Sequence, residues 1–185
     1  REHSGIRWIQ LYLAGADPFP RVAEAVAGEM NAWAEGFFGR RIIGDWRAQL
    51  EHTTRIFRAR GLHLDDRHVR HDGGAGFSAS IVDSVLYVVN NHKALREAGA
   101  SVVLYLPKIQ TAEEAALWNA ILTGIEAQLA IPHGTIKVYV LVEQVEATFQ
   151  LMEIRAALAP HFVGFNTGRW DYINSVADAM SWDPA

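Results

Sequence analysis

Short apolar runs alternate with longer amphipathic stretches along most of this chain. Four runs have the length and composition of buried strands, and they span residues 54–57, 101–106, 136–142 and 162–165. Runs that are apolar on both faces are typical of strands inside a parallel sheet. The alternation therefore predicts βαβ units in an α/β fold. It leaves open whether the sheet is an open doubly wound one or part of a closed barrel.

The stretches between the runs have the apolar spacing of amphipathic helices. Residues 81–95 keep this spacing, and Gly99 stands where a helix C-cap is expected. Thr111 and Glu114 have capping-box spacing ahead of a second helix. Further helices are predicted at about 145–158 and from about residue 170 onward.

Residues 1–53 are predicted to form a separate N-terminal segment that is helical in part and otherwise uncertain. Pro20 is placed to open a helix there, and its apolar face includes Trp33. Residues 5–14 are apolar and fit a strand as well as a helix. Trp33, like Trp118 in the later helix, is expected in the core.

Composition and charge exclude several classes of protein. The 185 residues are 50% hydrophobic and 21% charged, which is typical of a globular domain. The net charge is -4 and no basic run occurs, so neither nucleic acid nor an anionic membrane is an expected partner. The absence of cysteine, of a membrane-length apolar stretch and of a signal-peptide pattern predicts a cytoplasmic protein.

Polar residues follow each apolar run, at the strand ends where parallel α/β proteins place their chemistry. These residues are Arg58, Arg60, Lys108, Glu143 and Asp171. Two carboxylates from neighbouring strand ends offer the oxygen ligands that Mg2+ prefers. Each residue also has a simpler interpretation: Glu143 could be a solvated strand end or an ion-pair partner of Arg58, and Asp171 could be a helix N-cap. The basic residues could be ordinary surface or loop positions.

Two further segments are candidates for binding. The turn of Gly168, Arg169, Trp170 and Asp171 leads into a helix, whose first backbone N–H groups can bind a small carboxylate. Three histidines crowd residues 63–71, but they lack a partner at helical i,i+4 spacing. A polar loop is therefore expected there rather than a zinc site.

Several segments in uninterrupted order resemble the malate synthase family, in its shorter, A-type branch. They include RARGLHLDDRHV at 58–69, SIVD at 80–83, YLPKI at 105–109, IPHGTIK at 131–137, VLVE at 140–143 and GFNTGRWDYI at 164–173. The resemblance implies a (β/α)8 TIM barrel, of which residues 54–185 would supply about half to two thirds. It also implies the Mg2+-dependent condensation of acetyl-CoA with glyoxylate to malate and CoA, an acyl transfer of the glyoxylate cycle.

The resemblance assigns roles to the residues at the strand ends. Glu143 and Asp171 would bind Mg2+, and glyoxylate would lie against the turn that begins at Gly168 and includes Arg169 and Trp170. Arg58 would stabilise the enolate of acetyl-CoA. Arg60 and Lys108 are secondary candidates at the same edge of the sheet.

The chain departs from the family in one respect that matters for activity. The general base of the family is an aspartate in a later segment, and nothing in this chain matches that segment. We therefore expect the 185 residues to be incomplete and inactive alone, with open barrel edges that allow self-association. Two other functions remain open: a CoA lyase of the malyl-CoA or citrate lyase type, and a non-catalytic barrel fragment.

Overall fold

The computed structural model divides the chain into two compact units, Arg1–Phe57 and Arg58–Ala185. This division lies close to the predicted boundary after residue 53. The structure describes residues 19–45, 47–48, 54–72 and 74–183. The predicted apolar element at 5–14 lies outside the described residues.

The first unit contains helix α1, Phe19–Phe38, as the sequence predicted. Gly39 ends it in a left-handed conformation, with φ of 65° and its N–H donating to the Glu35 carbonyl. Asn31 is buried on this helix and accepts the N–H groups of Ile42 and Ile43 at 2.9 and 2.7 Å. Its amide nitrogen donates to the Ile43 carbonyl at 2.7 Å. A buried amide with these partners fixes the chain that follows the helix.

The prediction that Trp33 belongs to the core is wrong. Its side chain is 56% exposed and lies against Phe37 and Phe38, which are exposed as well. Among the side chains of this helix whose burial is described, those of Ala27, Asn31 and Ala34 are buried. These also have helical spacing, so periodicity alone could not distinguish the two faces.

The second unit is built on a four-stranded sheet. Its strands are β1 (Phe57–Arg58), β4 (Val103–Leu106), β5 (Lys137–Val142) and β6 (Phe162–Thr167), in the spatial order β1-β4-β5-β6. β5 is parallel to both β4 and β6. The predicted α/β fold is confirmed, and the four strands are half of the eight that a complete TIM barrel contains. β1 is shorter than the predicted run at 54–57 and lies at its end.

Helices follow the strands as the pattern predicted. They are α2 (Ala79–Glu97), α3 (Ala112–Leu129), α4 (Leu151–Leu158) and α5 (Arg169–Ala179). The capping box at Thr111 and Glu114 is confirmed, as is Gly99 beyond the end of α2, with φ of 68°. The single helix predicted at 145–158 is instead a 3-10 turn, Glu146–Phe149, followed by α4. Gln150 separates the two, and its side chain accepts the N–H of Ala112 at 3.2 Å.

The core of the second unit lies around the two central strands. All four residues of β4 are buried, and Val138 and Val140 of β5 are fully buried. Trp118 of α3 is 1% exposed, which confirms its predicted core position. β6 is only half-buried. No helix in the described ranges is both long and apolar enough to cross a membrane.

The segment after β1 is not the polar loop that the sequence predicted. Strands β2 (Asp65–Arg70) and β3 (Gly76–Ser78) pair there in antiparallel orientation. Five of the six residues in β2 are exposed, so the strand lacks the apolar alternation that marks a half-buried strand.

Candidate active site

The carboxyl ends of the strands bring together the residues predicted from the sequence. Glu143, which follows β5, is 1% exposed, and its carboxyl group shares a hydrogen bond with Asp171. The Lys108 ammonium lies 2.8 Å from Asp171 Oδ1 and 4.0 Å from Glu143 Oε2. Arg58 Nη2 lies 3.8 Å from Glu143 Oε1. Two carboxylates and two cations therefore meet at one edge of the sheet.

Lys108 contributes through its backbone as well as its ammonium. Its N–H donates to Glu143 Oε1 at 2.8 Å. Lys108 also has φ of 59°, a left-handed conformation that a side chain other than glycine rarely adopts. Such strain is often found at functional sites, where the surrounding structure holds it. Lys108 was predicted only as a secondary candidate, but it lies at the centre of this cluster.

The two carboxyl groups hold their protons with different strength. Burial, followed by the hydrogen bond with Asp171, raises the pKa of Glu143. The Lys108 ammonium, followed by the hydrogen bond with Glu143, lowers the pKa of Asp171. The pair therefore favours one shared proton carried by Glu143, since two close carboxylates resist simultaneous ionisation. A cation between them would relieve the same repulsion.

Asp171 is not the N-cap of α5. Gly168 occupies that position, and Asp171 lies in the first turn of the helix. A Cβ at position 168 would lie 2.8 Å from Glu143 Cβ and 3.0 Å from its Oε2, so only glycine leaves room for the buried carboxyl group. The first helical bond of α5 runs from the Tyr172 N–H to the Gly168 carbonyl at 3.0 Å. The N–H groups of residues 169–171 precede it and point out of the helix end.

The side chains of Arg169 and Trp170 interact with each other at the surface. The guanidinium carbon lies 4.4 Å from the centre of the indole, which is 72% exposed. Any contribution of these two residues to the predicted carboxylate site would therefore come from their backbone N–H groups.

Arg58 is held beside an aromatic residue that sequence reasoning did not single out. Its guanidinium carbon lies 5.8 Å from the ring centre of Tyr105, a buried residue of β4. The Tyr105 hydroxyl accepts a hydrogen bond from Asn166 Nδ2 at 2.7 Å. Tyr105 therefore links the exits of β1 and β6 across the face of β4. Its place one residue before the Leu106 strand end is the signal that could have indicated this role.

Arg60 has carboxylate partners of its own. Its Nε and Nη2 donate to the two oxygens of Asp83 at 2.8 and 2.7 Å, and its backbone N–H donates to Asp83 Oδ2 at 3.0 Å. Nη2 also contacts Asp66 Oδ2 at 2.7 Å. These contacts fix the chain two residues after Arg58. Both aspartates lie in segments that resemble the family, but the sequence did not indicate that they pair with Arg60, because they come from β2 and α2.

Asp66 is itself held by several donors. It accepts the N–H groups of His68 and Val69 at 2.7 and 2.8 Å. The Val69 N–H, followed by the Arg60 guanidinium, lowers the pKa of the Asp66 carboxyl far below its usual range. Asp66 therefore stays ionised and ties the β2 segment to Arg60.

A polar cavity of about 400 Å³ opens beside Lys108 and Asp171. Its remaining lining is Gln144, Glu146, Asn174, Ser175, Asp178 and Ala179. The volume suits a small polar molecule next to the carboxylate pair.

This arrangement defines a class of protein. Parallel βα units carry a carboxylate pair, two cations and a helix N-terminus at one edge of the sheet, as in TIM-barrel enzymes that act on anionic substrates. The oxygen-only donor set fits Mg2+ better than a softer metal.

The sequence profile described as "Malate synthase, TIM barrel domain" matches residues 54–184. The chain therefore belongs to this family, which confirms the resemblance found in the sequence. The match covers the whole four-stranded sheet and all the candidate site residues.

Individual relatives agree with the profile. Malate synthase A of Escherichia coli (strain K12) is 45% identical over 120 residues, which are 65% of this chain and 22% of that protein. Malate synthase of Streptomyces clavuligerus is 38% identical over 130 residues, 70% of this chain and 24% of that protein. The chain thus spans about a quarter of the length of these curated relatives.

A solved structure, the Haloferax volcanii malate synthase pyruvate/acetyl-CoA ternary complex, is similar at a TM-score of 0.48 and 12% identity. The likeness covers 85% of this chain and 37% of that one. At this distance it adds nothing to the family assignment.

Proposed function

We propose that this chain is the metal- and glyoxylate-binding part of a malate synthase, which condenses acetyl-CoA with glyoxylate to malate and CoA. One observation carries the proposal. The buried Glu143 and Asp171 lie on either side of the Lys108 ammonium, at 4.0 and 2.8 Å, and Glu143 lies 3.8 Å from Arg58. The electrophile site and a cation for the nucleophile therefore share one edge of the sheet.

Glu143 and Asp171 would hold Mg2+. Their shared hydrogen bond and the Lys108 ammonium now offset the charge that this ion would neutralise. When bound, Mg2+ supplies a Lewis acid that polarises the glyoxylate aldehyde. Gly168, which has no side chain, leaves room for the Glu143 carboxyl group, and the first turn of α5 places that of Asp171 beside it.

The backbone N–H groups of residues 169–171 would bind the glyoxylate carboxylate. They lie at the positive end of α5, and Asp171 belongs to the same turn. The aldehyde would then lie next to the carboxylate pair, at the mouth of the polar cavity.

Arg58 would stabilise negative charge on the thioester oxygen as the acetyl group loses a proton. Its side chain is 25% exposed and lies beside the Tyr105 ring, so the cation is held in a partly desolvated position. A preorganised cation in such a place stabilises developing charge more than one in water. The base that takes the proton is predicted to lie outside these residues.

The test is an assay of the full-length protein with acetyl-CoA, glyoxylate and Mg2+. We expect release of one free CoA thiol for each malate formed, with no turnover after Mg2+ is removed by a chelator. Malyl-CoA that accumulates or is cleaved without hydrolysis would indicate the lyase function instead. Absence of any reaction or of Mg2+-dependent glyoxylate binding would leave the non-catalytic alternative.

A further inference from the structure

A second cluster of ionisable residues lies at the opposite end of the sheet. Glu126 comes from the last turn of α3, His133 from the loop before β5, and His161 from the residue before β6. Each offers one nitrogen or oxygen, and these atoms all lie within 4.8 Å of one another. None of the three belongs to the edge that carries Glu143.

The carboxylate of this cluster is buried without a permanent cation beside it. Glu126 is 1% exposed and His161 is fully buried, whereas the His133 side chain is 55% exposed. In the described part of the chain, the only basic side chains within 4 Å of the Glu126 carboxylate are these two imidazoles, through His133 Nδ1 at 3.2 Å and His161 Nδ1 at 3.6 Å. A buried carboxylate between two imidazoles favours a bound cation.

Backbone contacts hold the carboxylate in place. Glu126 Oε2 accepts the Gly134 N–H at 2.8 Å, and Oε1 accepts the Ile136 N–H at 2.7 Å. Each carboxylate oxygen has two lone pairs, so one on each remains for a further ligand. The contacts therefore orient Glu126 without using up its capacity.

His161 has the hydrogen bonding that is usual for a metal ligand. Its Nδ1 lies 2.9 Å from the Ile136 carbonyl, so this nitrogen carries the proton and donates it. Nε2 then carries the lone pair, and it is buried with no hydrogen-bond partner among the described residues. Histidines that bind metals commonly donate their other N–H to a carbonyl in this way.

The spacing of the other two ligand atoms is close to that required by one ion. His133 Nδ1 and Glu126 Oε2 are 3.2 Å apart. Two ligands with bonds of about 2.1 Å to a tetrahedral zinc lie about 3.4 Å apart. Zinc would take the place of the proton between them, which leaves as the ligand binds.

We propose that Glu126, His133 and His161 form a binding site for a divalent transition-metal ion of the zinc type. Two imidazole nitrogens and one carboxylate oxygen are a donor set that zinc accepts, with the exposed side of His133 as the entry path. Nitrogen donors also distinguish this site from the oxygen-only pair of Glu143 and Asp171. A bound ion would join α3 to the starts of β5 and β6.

The experiment uses full-length protein freed of metal and then saturated with Mg2+, which occupies the carboxylate pair. Zn2+ affinity is measured by competition with a chromophoric chelator, and Co2+ is added separately to record its visible absorption. We expect each chain to bind one Zn2+ at this cluster. The absorption of bound Co2+ should indicate a low coordination number and nitrogen ligands. His133→Ala should weaken Zn2+ binding by at least about tenfold.

His133→Ala is the principal variant because its half-exposed side chain can be removed without a cavity. The matched control is His68→Ala, an exposed histidine of β2, which should bind Zn2+ as the wild type does. The proposal is overturned if the wild type binds no Zn2+ in the presence of Mg2+, or if His133→Ala binds it equally well. An equal loss in His68→Ala would overturn it too, because binding would then not depend on this cluster.

Discussion

The two buried glutamates near the ends of β5 differ in how their charges are met. Glu126, at the amino end, accepts two backbone N–H groups and lies beside two imidazoles. Glu143, at the carboxyl end, accepts one backbone N–H and faces a second carboxyl group. Both are 1% exposed. Two glutamates of equal burial therefore differ: hydrogen-bond donors hold Glu126, whereas Glu143 lies beside a second acidic group.

This difference gives the two glutamates different roles in the metal-free protein. At the amino end, fixed N–H dipoles orient the carboxylate of Glu126 and hold the loop before β5 in place, and each oxygen keeps a lone pair for a further ligand. At the carboxyl end, burial and then the hydrogen bond with Asp171 make the ionised form of Glu143 unfavourable, despite the nearby Lys108 and Arg58, until a further cation binds. The two close carboxyl groups lower the stability of the free protein, and a bound cation would remove their repulsion. Such local strain is typical of a functional site.

The largest expected effect is on activity at the carboxyl end. Glu143→Gln keeps the shape of the side chain but removes the buried negative charge that would hold Mg2+. We expect kcat/KM of the full-length enzyme to fall by about a thousandfold, as when a main electrostatic contribution to a transition state is lost. The measurement is CoA release at saturating Mg2+, with Glu153→Gln on the exposed face of α4 as the control. Retention of more than a tenth of the activity would contradict the metal role of Glu143.

Arg58→Lys should produce a smaller loss, in kcat. Lysine keeps the charge but lacks the planar fork that can face an oxyanion with two parallel N–H groups. We expect kcat to fall by about a hundredfold, the scale of removing one oxyanion donor. Mg2+ and glyoxylate binding, measured by calorimetry, should survive.

Asp171→Ala is the contrasting variant, since it should weaken glyoxylate capture itself. Equal loss of glyoxylate binding in Arg58→Lys would assign Arg58 to the electrophile side of the site.

Much of the carboxyl-end site could be predicted because its residues come after apolar runs. Arg58 and Glu143 follow their runs directly, Lys108 follows Pro107, and Asp171 lies in the turn after the last run. An apolar run predicts a strand, and the polar residues after it lie at the edge of the sheet. This reasoning located Arg58, Lys108, Glu143 and Asp171 without knowledge of their contacts. It could not supply the partners of Arg60, since Asp66 and Asp83 lie in an exposed strand and in a helix.

The amino-end cluster had no comparable signal in the sequence. Glu126, His133 and His161 are spread over three elements, and they meet only because parallel strands start at the same edge. Sequence reasoning weighed zinc at residues 63–71 instead, where histidines are close along the chain. Among the described residues, proximity in space rather than in sequence defines the metal-type cluster. On α1, likewise, the sequence predicted that the face with Trp33 is buried, whereas Asn31 is buried because it binds the chain that follows the helix.

Glu126→Gln should affect stability at the amino end. An amide has one acceptor oxygen, so either the Gly134 or the Ile136 N–H would face an NH2 group in place of a carboxylate oxygen. We expect a loss of about 1–3 kcal/mol in the free energy of unfolding, the usual cost of an unsatisfied buried donor. Urea unfolding of metal-free protein measures it, with Glu113→Gln on the exposed side of the same helix as the control. If the two variants were equally stable, Glu126 would not be an anchor.

The smallest expected effect is on how stability depends on pH, and it comes from Glu143 at the carboxyl end of β5. Because the pKa of Glu143 is raised in the folded protein, the folded state keeps a proton there that the unfolded state releases above the ordinary value of 4.5. Stability contributed by this site therefore falls as pH rises above that value, through the folded pKa. Asp171 has the opposite sign, but its contribution is lost only as pH falls below the ordinary value of 3.8.

Glu143→Gln imitates the protonated carboxyl group. Its oxygen can still accept the Lys108 N–H, and its NH2 group can donate to Asp171. In a chelator, we expect the variant to melt at a higher temperature than the wild type, with a gap that widens from pH 5 to pH 8. Excess Mg2+ should close or reverse the gap, because only the wild type gains from the ion. A gap that is constant with pH would mean that Glu143 carries no extra proton in the folded protein, and that the two ends of β5 are more alike than their contacts indicate.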